Sequence, residues 1–420
     1  MNMTSMPSPD RVAIIGAGAA GLLAAAVALG EGASVMLFEQ NDRAGRKLAI
    51  TGKGRCNLTN ACSVPEFLQN VTKNHRFLHS AIARFSPADT VVFFEELGVP
   101  LKTERGGRVF PVSDRAGDIV DALCAATRDA TGIHGRIEAI RPRPEGGFSL
   151  LSGGREYAAE RVILATGGCS YPKTGSDGNG YRLARSLGHT VTPILPSLVP
   201  LTSPDPVCGN MQGLSLKNVA LTVKDPAGRK VYEDFGEMLF THFGISGPMV
   251  LSASAHLHVP SLEGYTAVID LKPALDDKTL NDRLLSELST GANRDLSNIL
   301  ARLLPSSMIP TALARTGIPG SRKGNTVTRE ERQRLRMFLK GFSLPISGRR
   351  PIAEAIVTSG GIDVSEVDPK TMESQLIPGL YFAGEILDVD AYTGGFNLQI
   401  AFSTAYLAAK HAAMPRKETI

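Results

Sequence analysis

The chain has 420 residues, more than one compact core usually holds, so two or three domains are expected. Apolar residues at 43% and charged residues at 20% exclude a disordered or fibrous chain, and 45 Lys and Arg against 41 Asp and Glu leave a net charge of only +4 without long single-sign runs. Nucleic acid is therefore not an expected partner. Five scattered cysteines, at 56, 62, 124, 169 and 208, supply neither a disulfide framework nor a CxxC, which fits a reducing cytoplasm.

The first ten residues carry no positive charge and no apolar run, so no signal peptide is expected. Val12 to Gly30 is free of charge and long enough to span a bilayer, but its Ala and Gly content fits another reading. "RVAIIGAGAAGLLAAAVALG" reads as strand, tight turn and helix, with GxGxxG at Gly16, Gly18 and Gly21. Gly16 permits the sharp turn, Gly18 lets backbone approach a pyrophosphate, and Gly21 allows close packing of the helix. The helix N-terminus offers free N–H groups to phosphate. After a second strand, "SVMLFE", Glu39 is placed to accept hydrogen bonds from ribose hydroxyls. A dinucleotide site follows, with FAD and NAD undivided at this point.

Next comes "TGKGRCNLTN", residues 51–60, a loop with two glycines, two cations, a cysteine and two asparagines. "ERVILATGG", residues 160–168, reads as a buried strand ending at Thr166, Gly167 and Gly168. In the middle of the chain no second GxGxxG occurs, so no separate nicotinamide domain is expected. Residues 201–247 alternate apolar and polar positions with turns such as "DPAGRK", as antiparallel strands do. Residues 277–317 have helical periodicity, with Leu280, Leu284, Leu285 and Leu288 expected in a core. "FTHFGISGPMVLSASAH" reads as strand, turn and helix, with Ser246 as N-cap and Pro248 in the first turn. His242 is a candidate general base or carboxylate ligand, with a structural hydrogen-bond donor the stronger expectation, while His256 and His258 show no metal spacing, and no metal is expected. Arg349 and Arg350 are candidates for binding an acidic substrate or are solvated linker charges. Finally "GLYFAGEILDVDAYTGGFNLQ" reads as a strand ending at Gly384 and Glu385, then a glycine turn at Gly394 and Gly395, then an apolar helix. This return decides for FAD, which is longer than one mononucleotide fold encloses. The acidic residue can bind ribityl hydroxyls, and the last helix's N-terminus can face the flavin's pyrimidine edge.

The stretches "GAGAAG", "GRKLAITGKGRCNLTN", "LATGG", "GEMLFTHFGISGP", "VTSGGI" and "PGLYFAGEILDVDAYTGGFNLQIAFSTA" together resemble the bacterial aminoacetone-oxidase or BaiN-like (YhiN-like) FAD flavoproteins of the two-dinucleotide-binding-domain group. The resemblance covers almost the whole chain. It implies an α/β fold: a discontinuous Rossmann-like FAD-binding domain (1–191 and 346–420), an inserted β-rich cap (192–272 and 325–345) and a small helical subdomain (273–324). It places residues 51–60 around the pyrophosphate and the inner face of the flavin. There Lys53, Arg55 and Lys47 or Arg46 would neutralise phosphate, Gly52 and Gly54 permit close approach, and Asn57 and Asn60 satisfy backbone groups. Cys56 is either a reactive thiol or a packing residue, the latter being the stronger expectation. Further cofactor contacts implied are Ala19, Ala20, Gln40, Thr51, Ile137, Asp388, Asn397 and Leu398. Phe396 stands where the family more often has Tyr, so no catalytic phenol is expected there. The implied activity is FAD-dependent oxidoreduction, with non-covalent FAD, of a small molecule held between cap and flavin, as an amine oxidase or as an enone reductase using NADH or NADPH transiently. Alternatives are a tRNA-acting flavoprotein and a flavin-dependent sensor that does not turn over. No membrane partner is expected.

Overall fold

The computed structural model describes residues 11–414. The ten N-terminal residues, on which the signal-peptide expectation rests, lie outside them. Two compact units emerge, residues 1–197 with 352–420 and residues 198–351, the second inserted into the sequence of the first.

The first unit is built on a five-stranded sheet of β1 (Arg11–Ile15), β2 (Ser34–Glu39), β3 (Thr131–His134), β4 (Arg161–Leu164) and β5 (Leu380–Phe382), in the order β5-β4-β1-β2-β3. Every pairing is parallel, with Ile14 in register with both Leu37 and Ile163. The uninterrupted apolar runs of β1 and β4 follow from burial on both faces. Helix α1 (Ala19–Gly30) packs against the long helix α3 (Phe396–Ala412), and the small side chains of both allow close approach. The uncharged stretch 12–30 is thus β1, a turn and α1, and no helix among the described residues is long and apolar enough to cross a membrane. Helix α2 (Arg46–Gly54) ends early as a regular helix: Thr51 is extended, and Gly52 and Lys53 are left-handed at φ 57° and 59°.

The second unit carries a seven-stranded antiparallel sheet whose central hairpin pairs Ser215–Lys224 with Lys230–Thr241. "DPAGRK" makes the turn, with the Asp225 carboxylate accepting from the Ala227 and Arg229 N–H groups. Helices Asp277–Thr290, Leu296–Leu300, Ile309–Thr316 and Arg329–Lys340 contribute to the same apolar core, through Leu280, Leu284 and Leu288 among others. Leu285, expected in that core, is instead 42% exposed. Ser246 is also corrected: it ends a strand, and Gly247 caps the helix Pro248–Ser254. The chain reverses there at φ 98°, and a Cβ would lie 2.9 Å from the Met238 Cα, so glycine holds the cap and Pro248 opens the helix.

Candidate functional site

A cleft opens at the carboxyl ends of the parallel strands, where an open α/β sheet offers its loops. Gly16 makes the turn after β1 at φ 100°, because a side chain would press against the Ala165 carbonyl. The Gly16 carbonyl in turn sits 1.7 Å from where a Gly21 Cβ would be, so the turn closes on the helix and Gly21's role is within the motif. At Gly18 nothing lies within 4 Å of that position, and the residue lines the cleft. Helix α1 therefore begins at the cleft wall, with Ala19 and Ala20 beside it.

The Glu39 carboxylate ends β2 at the same wall and fixes the turn: Oε2 accepts from the Ala17 N–H at 2.9 Å, and Oε1 from the Asn41 N–H at 2.8 Å. Asn41 Nδ2 also donates to Oε1, at 2.6 Å, so Oε2 is the oxygen that retains a lone pair for a ligand hydroxyl. Gln40 and Asn41 reach across to the segment that follows β4. Gln40 Nε2 donates to the Gly175 carbonyl at 2.8 Å and Asn41 Nδ2 to the Thr174 carbonyl at 3.2 Å, while Arg136 pairs with Asp177 at 3.0 Å. Ile137, Thr166 and Gly167 line the cleft, and the Thr166 hydroxyl is buried without a hydrogen-bond partner.

At the other end Lys47 Nζ lies 2.5 Å from Glu385 Oε2 and 2.6 Å from Ser170 Oγ, and Glu385 Oε1 accepts from the Thr358 N–H and the Ser170 hydroxyl. Lys47 was expected on phosphate; the fold gives its charge a carboxylate partner instead. Arg46 lines the cleft and donates to Asn41 Oδ1 at 3.0 Å, and Thr51, Asn397 and Leu398 complete this wall. The N-terminus of α3 thereby reaches the cleft. These features fit a dinucleotide: an open backbone approach at Gly18, a helix start beside it, a carboxylate at the end of β2, and a second set of polar groups at the far end.

Residues 51–60 are placed differently. Arg55 pairs with Glu104 and, at 2.5 Å, with Asp114, and its guanidinium stacks 4.2 Å over the Phe110 ring. Two carboxylates thus satisfy the cation, which corrects the expectation that it neutralises phosphate. Lys53 is exposed and, like Gly52, Gly54, Arg55, Cys56 and Asn57, is not on the cleft wall. Cys56 is fully buried at φ 60°, and burial pushes its thiol up to about 12, which favours the packing role over the reactive one. What the loop does hold is the start of α3. The Asn57 amide oxygen accepts from the Gly395 N–H at 3.0 Å, Asn60 Nδ2 donates to the Gly394 carbonyl at 3.0 Å, and the Thr59 hydroxyl donates to Gln399 Oε1 at 2.5 Å. Gly395 itself has φ 99°, with the Thr59 carbonyl 2.3 Å from where a Cβ would be.

The remaining expected contacts also lie off the wall. Gly168 packs against Thr358, and Gly384 against Ala20. Asp388 pairs with Lys73 at 2.6 Å, and buried Phe396 meets Phe67 edge-on at 5.3 Å between centroids. Near Asp388, Asp390 is buried against the Ser197 and Ser359 hydroxyls, and burial raises its carboxyl to about 6. In the second unit, His242 is exposed at a hairpin tip beside Phe243. Arg349 is drawn inward to the Leu257 carbonyl, and burial lowers its guanidinium to about 10, while Arg350 stacks 4.4 Å over Phe243. Sequence reasoning missed Asn41, Gly45, Arg136 and the turn-rich 174–179 segment on the cleft wall. The signal available was the run "CSYPKTGSDGNG" directly after "LATGG".

The model of the HI0933-like protein Rossmann domain matches residues 10–411. A 3-dehydro-bile acid delta(4,6)-reductase of Clostridium scindens is 35% identical over 424 residues, covering 96% of this chain and 99% of that protein. A ribosomal RNA dihydrouridine synthase of Escherichia coli is 32% identical over 400 residues, covering 94% and 96%. Among solved structures, the open conformation of a flavocytochrome c3 fumarate reductase aligns over 97% of this chain and 78% of that one, with a TM-score of 0.52 and 15% identity. A 3-ketosteroid-delta4-(5alpha)-dehydrogenase from Rhodococcus jostii RHA1 aligns over 98% of both chains, with a TM-score of 0.51 and 14% identity. The two structures are a likeness of fold.

Proposed function

The chain belongs to the HI0933-like Rossmann family, and from that premise we propose that it is an FAD-dependent oxidoreductase that reduces a carbon–carbon double bond conjugated to a carbonyl. One observation supports the cofactor: the glycine turn, the Glu39 carboxylate, and the return residues Glu385, Asn397 and Leu398 wall a single cleft. The open backbone at Gly18 and the start of α1 receive the pyrophosphate. Glu39 takes the ribose hydroxyls while it holds the turn in shape through Ala17. Lys47 and Glu385, paired with each other and with Ser170, form a preset polar cluster at the far end that can hydrogen-bond the ribityl and flavin half. FAD, when bound, supplies two-electron hydride chemistry.

The reaction class rests on the relatives' names. A bile-acid delta(4,6)-reductase and a dihydrouridine synthase both saturate a double bond conjugated to a carbonyl, in a steroid and in a uracil ring. A nicotinamide dinucleotide is the proposed electron source. The test is anaerobic: protein reduced with NADH or NADPH is mixed with a 3-oxo-4-ene steroid and with uridine-containing RNA, and oxidised protein is mixed with aminoacetone. Reoxidation of the flavin by one of the first two, with a product two hydrogens heavier, is expected. Failure of both, with aminoacetone instead reducing the oxidised protein, would replace this reading with an amine oxidase.

A further inference from the structure

The net charge of +4 is not evenly divided. The first unit has 26 Lys and Arg against 27 Asp and Glu, and the second 19 against 14. Within the second, Arg283 to Lys340 alone holds eleven basic residues against four acidic ones, a surplus larger than that of the whole chain. Averaging over 420 residues hides it.

The fold gathers part of this surplus at one end of the helical portion. Glu287, 6% exposed, accepts from Arg283 at 2.6 Å and from Arg302 at 3.1 Å. One buried carboxylate thereby orients two half-exposed guanidinium groups whose remaining N–H donors stay available. Arg294 shares the small cleft that Glu287 and Arg302 line. The loop carrying Arg294 is joined to the one carrying Arg322 and Lys323 by the Gly324 N–H to Arg294 carbonyl bond at 3.1 Å, and Arg329 begins the helix that follows. Arg294 and Arg329 are exposed and form no ion pair among the described residues.

We propose that this cationic end of the second unit is a docking surface for RNA. Pre-oriented guanidinium forks match phosphate oxygens in a bidentate way, and several cations along one surface match a repeating polyanion better than a single small anion. The choice of RNA rests on the alkene-reductase reading, in which a uracil ring is one of two substrate types.

The test uses the full-length FAD-loaded protein and fluorescein-labelled, protein-free ribosomal RNA, followed by anisotropy across a salt series. Affinity should fall steeply with salt. Arg294→Glu with Arg329→Glu should weaken binding at least tenfold and reduce the log–log salt slope by about 2, while Lys217→Glu with Lys230→Glu, the same charge change on the sheet, should leave it near wild type. FAD content and melting temperature report whether each variant folds. If the reversal pair does not fold, Arg294→Gln with Arg329→Gln replaces it, with a smaller loss in the same direction. No RNA binding, equal weakening by both pairs, or equally tight capture by phosphatidylglycerol vesicles would overturn the surface. Reoxidation by a steroid enone is measured on the same preparations. Enone turnover without RNA binding refutes the surface alone, and RNA binding without reaction of any alkene refutes the reaction class alone.

Discussion

Two glycine-rich loops flank the second strand of the parallel sheet, and they serve the cleft in different ways. The turn at residues 16–21 forms the wall directly, with open space at Gly18. The loop at 51–60 has more cations and more polar groups, yet it lies off the wall and holds the helix that reaches it. The contrast teaches that glycine and positive charge do not by themselves put a loop on the cleft wall, because carboxylates of the same unit can claim the charge. Glu104 and Asp114 claim Arg55, whereas the 16–21 turn carries no charged side chain and leaves the backbone at Gly18 open.

The largest expected effect separates direct from indirect glycines. Gly21→Val places a branched side chain where the Gly16 carbonyl sits, so the turn must open, at a cost of about 3 kcal/mol or more. Purified protein should be colourless and melt early. Retention of full flavin by this variant would break the assignment of the turn to the cofactor.

Gly395→Val sits at the junction of the two loops. The Thr59 carbonyl stands in the way of its side chain, and φ 99° adds strain of about 1 to 2 kcal/mol. The N-terminus of α3 should retreat from the cleft while the 16–21 turn still anchors the adenosine half. Potentiometry of the bound flavin is the measurement. A lowered reduction potential with FAD retained is expected, and an unchanged potential would place the helix end away from the flavin.

Much of this was legible in the sequence, and the exceptions have physical causes. Strand, turn and helix at 11–30 follow from local rules, because three glycines at fixed spacing have few other uses. The packing role of Cys56 was also the stronger expectation. Arg55 was misplaced because its partners lie 49 and 59 residues downstream, and no local pattern announces a pairing set by the sheet Leu101–Pro111. The 174–179 segment was missed for the same reason: Gln40 and Asn41 grip it from 135 and 133 residues away. Ser246 lost its cap to Gly247 because the reversal needs a left-handed residue, which a cap preference by side-chain oxygen does not weigh.

A smaller effect tests the buried member of the second loop. Cys56→Ser exchanges a thiol for a hydroxyl that must be satisfied inside the core, costing about 1 to 3 kcal/mol. Flavin content and turnover per bound flavin should stay near wild type. In the native protein, alkylation at this position should not accelerate between pH 7 and pH 10, because burial has moved the thiol up to about 12. Loss of turnover with flavin still bound would make the thiol a participant in the chemistry.

The smallest expected effect is the most diagnostic. Arg55→Met removes the cation that a phosphate role would require while keeping an apolar chain over the Phe110 ring. If the guanidinium serves Glu104 and Asp114, its loss leaves two partly exposed carboxylates that Lys102 and Arg108 still face, at 2.8 Å from Asp114 and 3.9 Å from Glu104. Exposed pairs of this kind contribute little to stability. Flavin affinity should then change by less than about twofold, which is about 0.4 kcal/mol. A cation in contact with pyrophosphate would behave otherwise, since its removal strips a charge-assisted hydrogen bond and weakens binding by tenfold or more. Titration of apoprotein with FAD, read by quenching of flavin fluorescence, distinguishes the two outcomes. A large loss of affinity would mean that Arg55 leaves its carboxylates when the cofactor binds, and the two loops would then act on it alike.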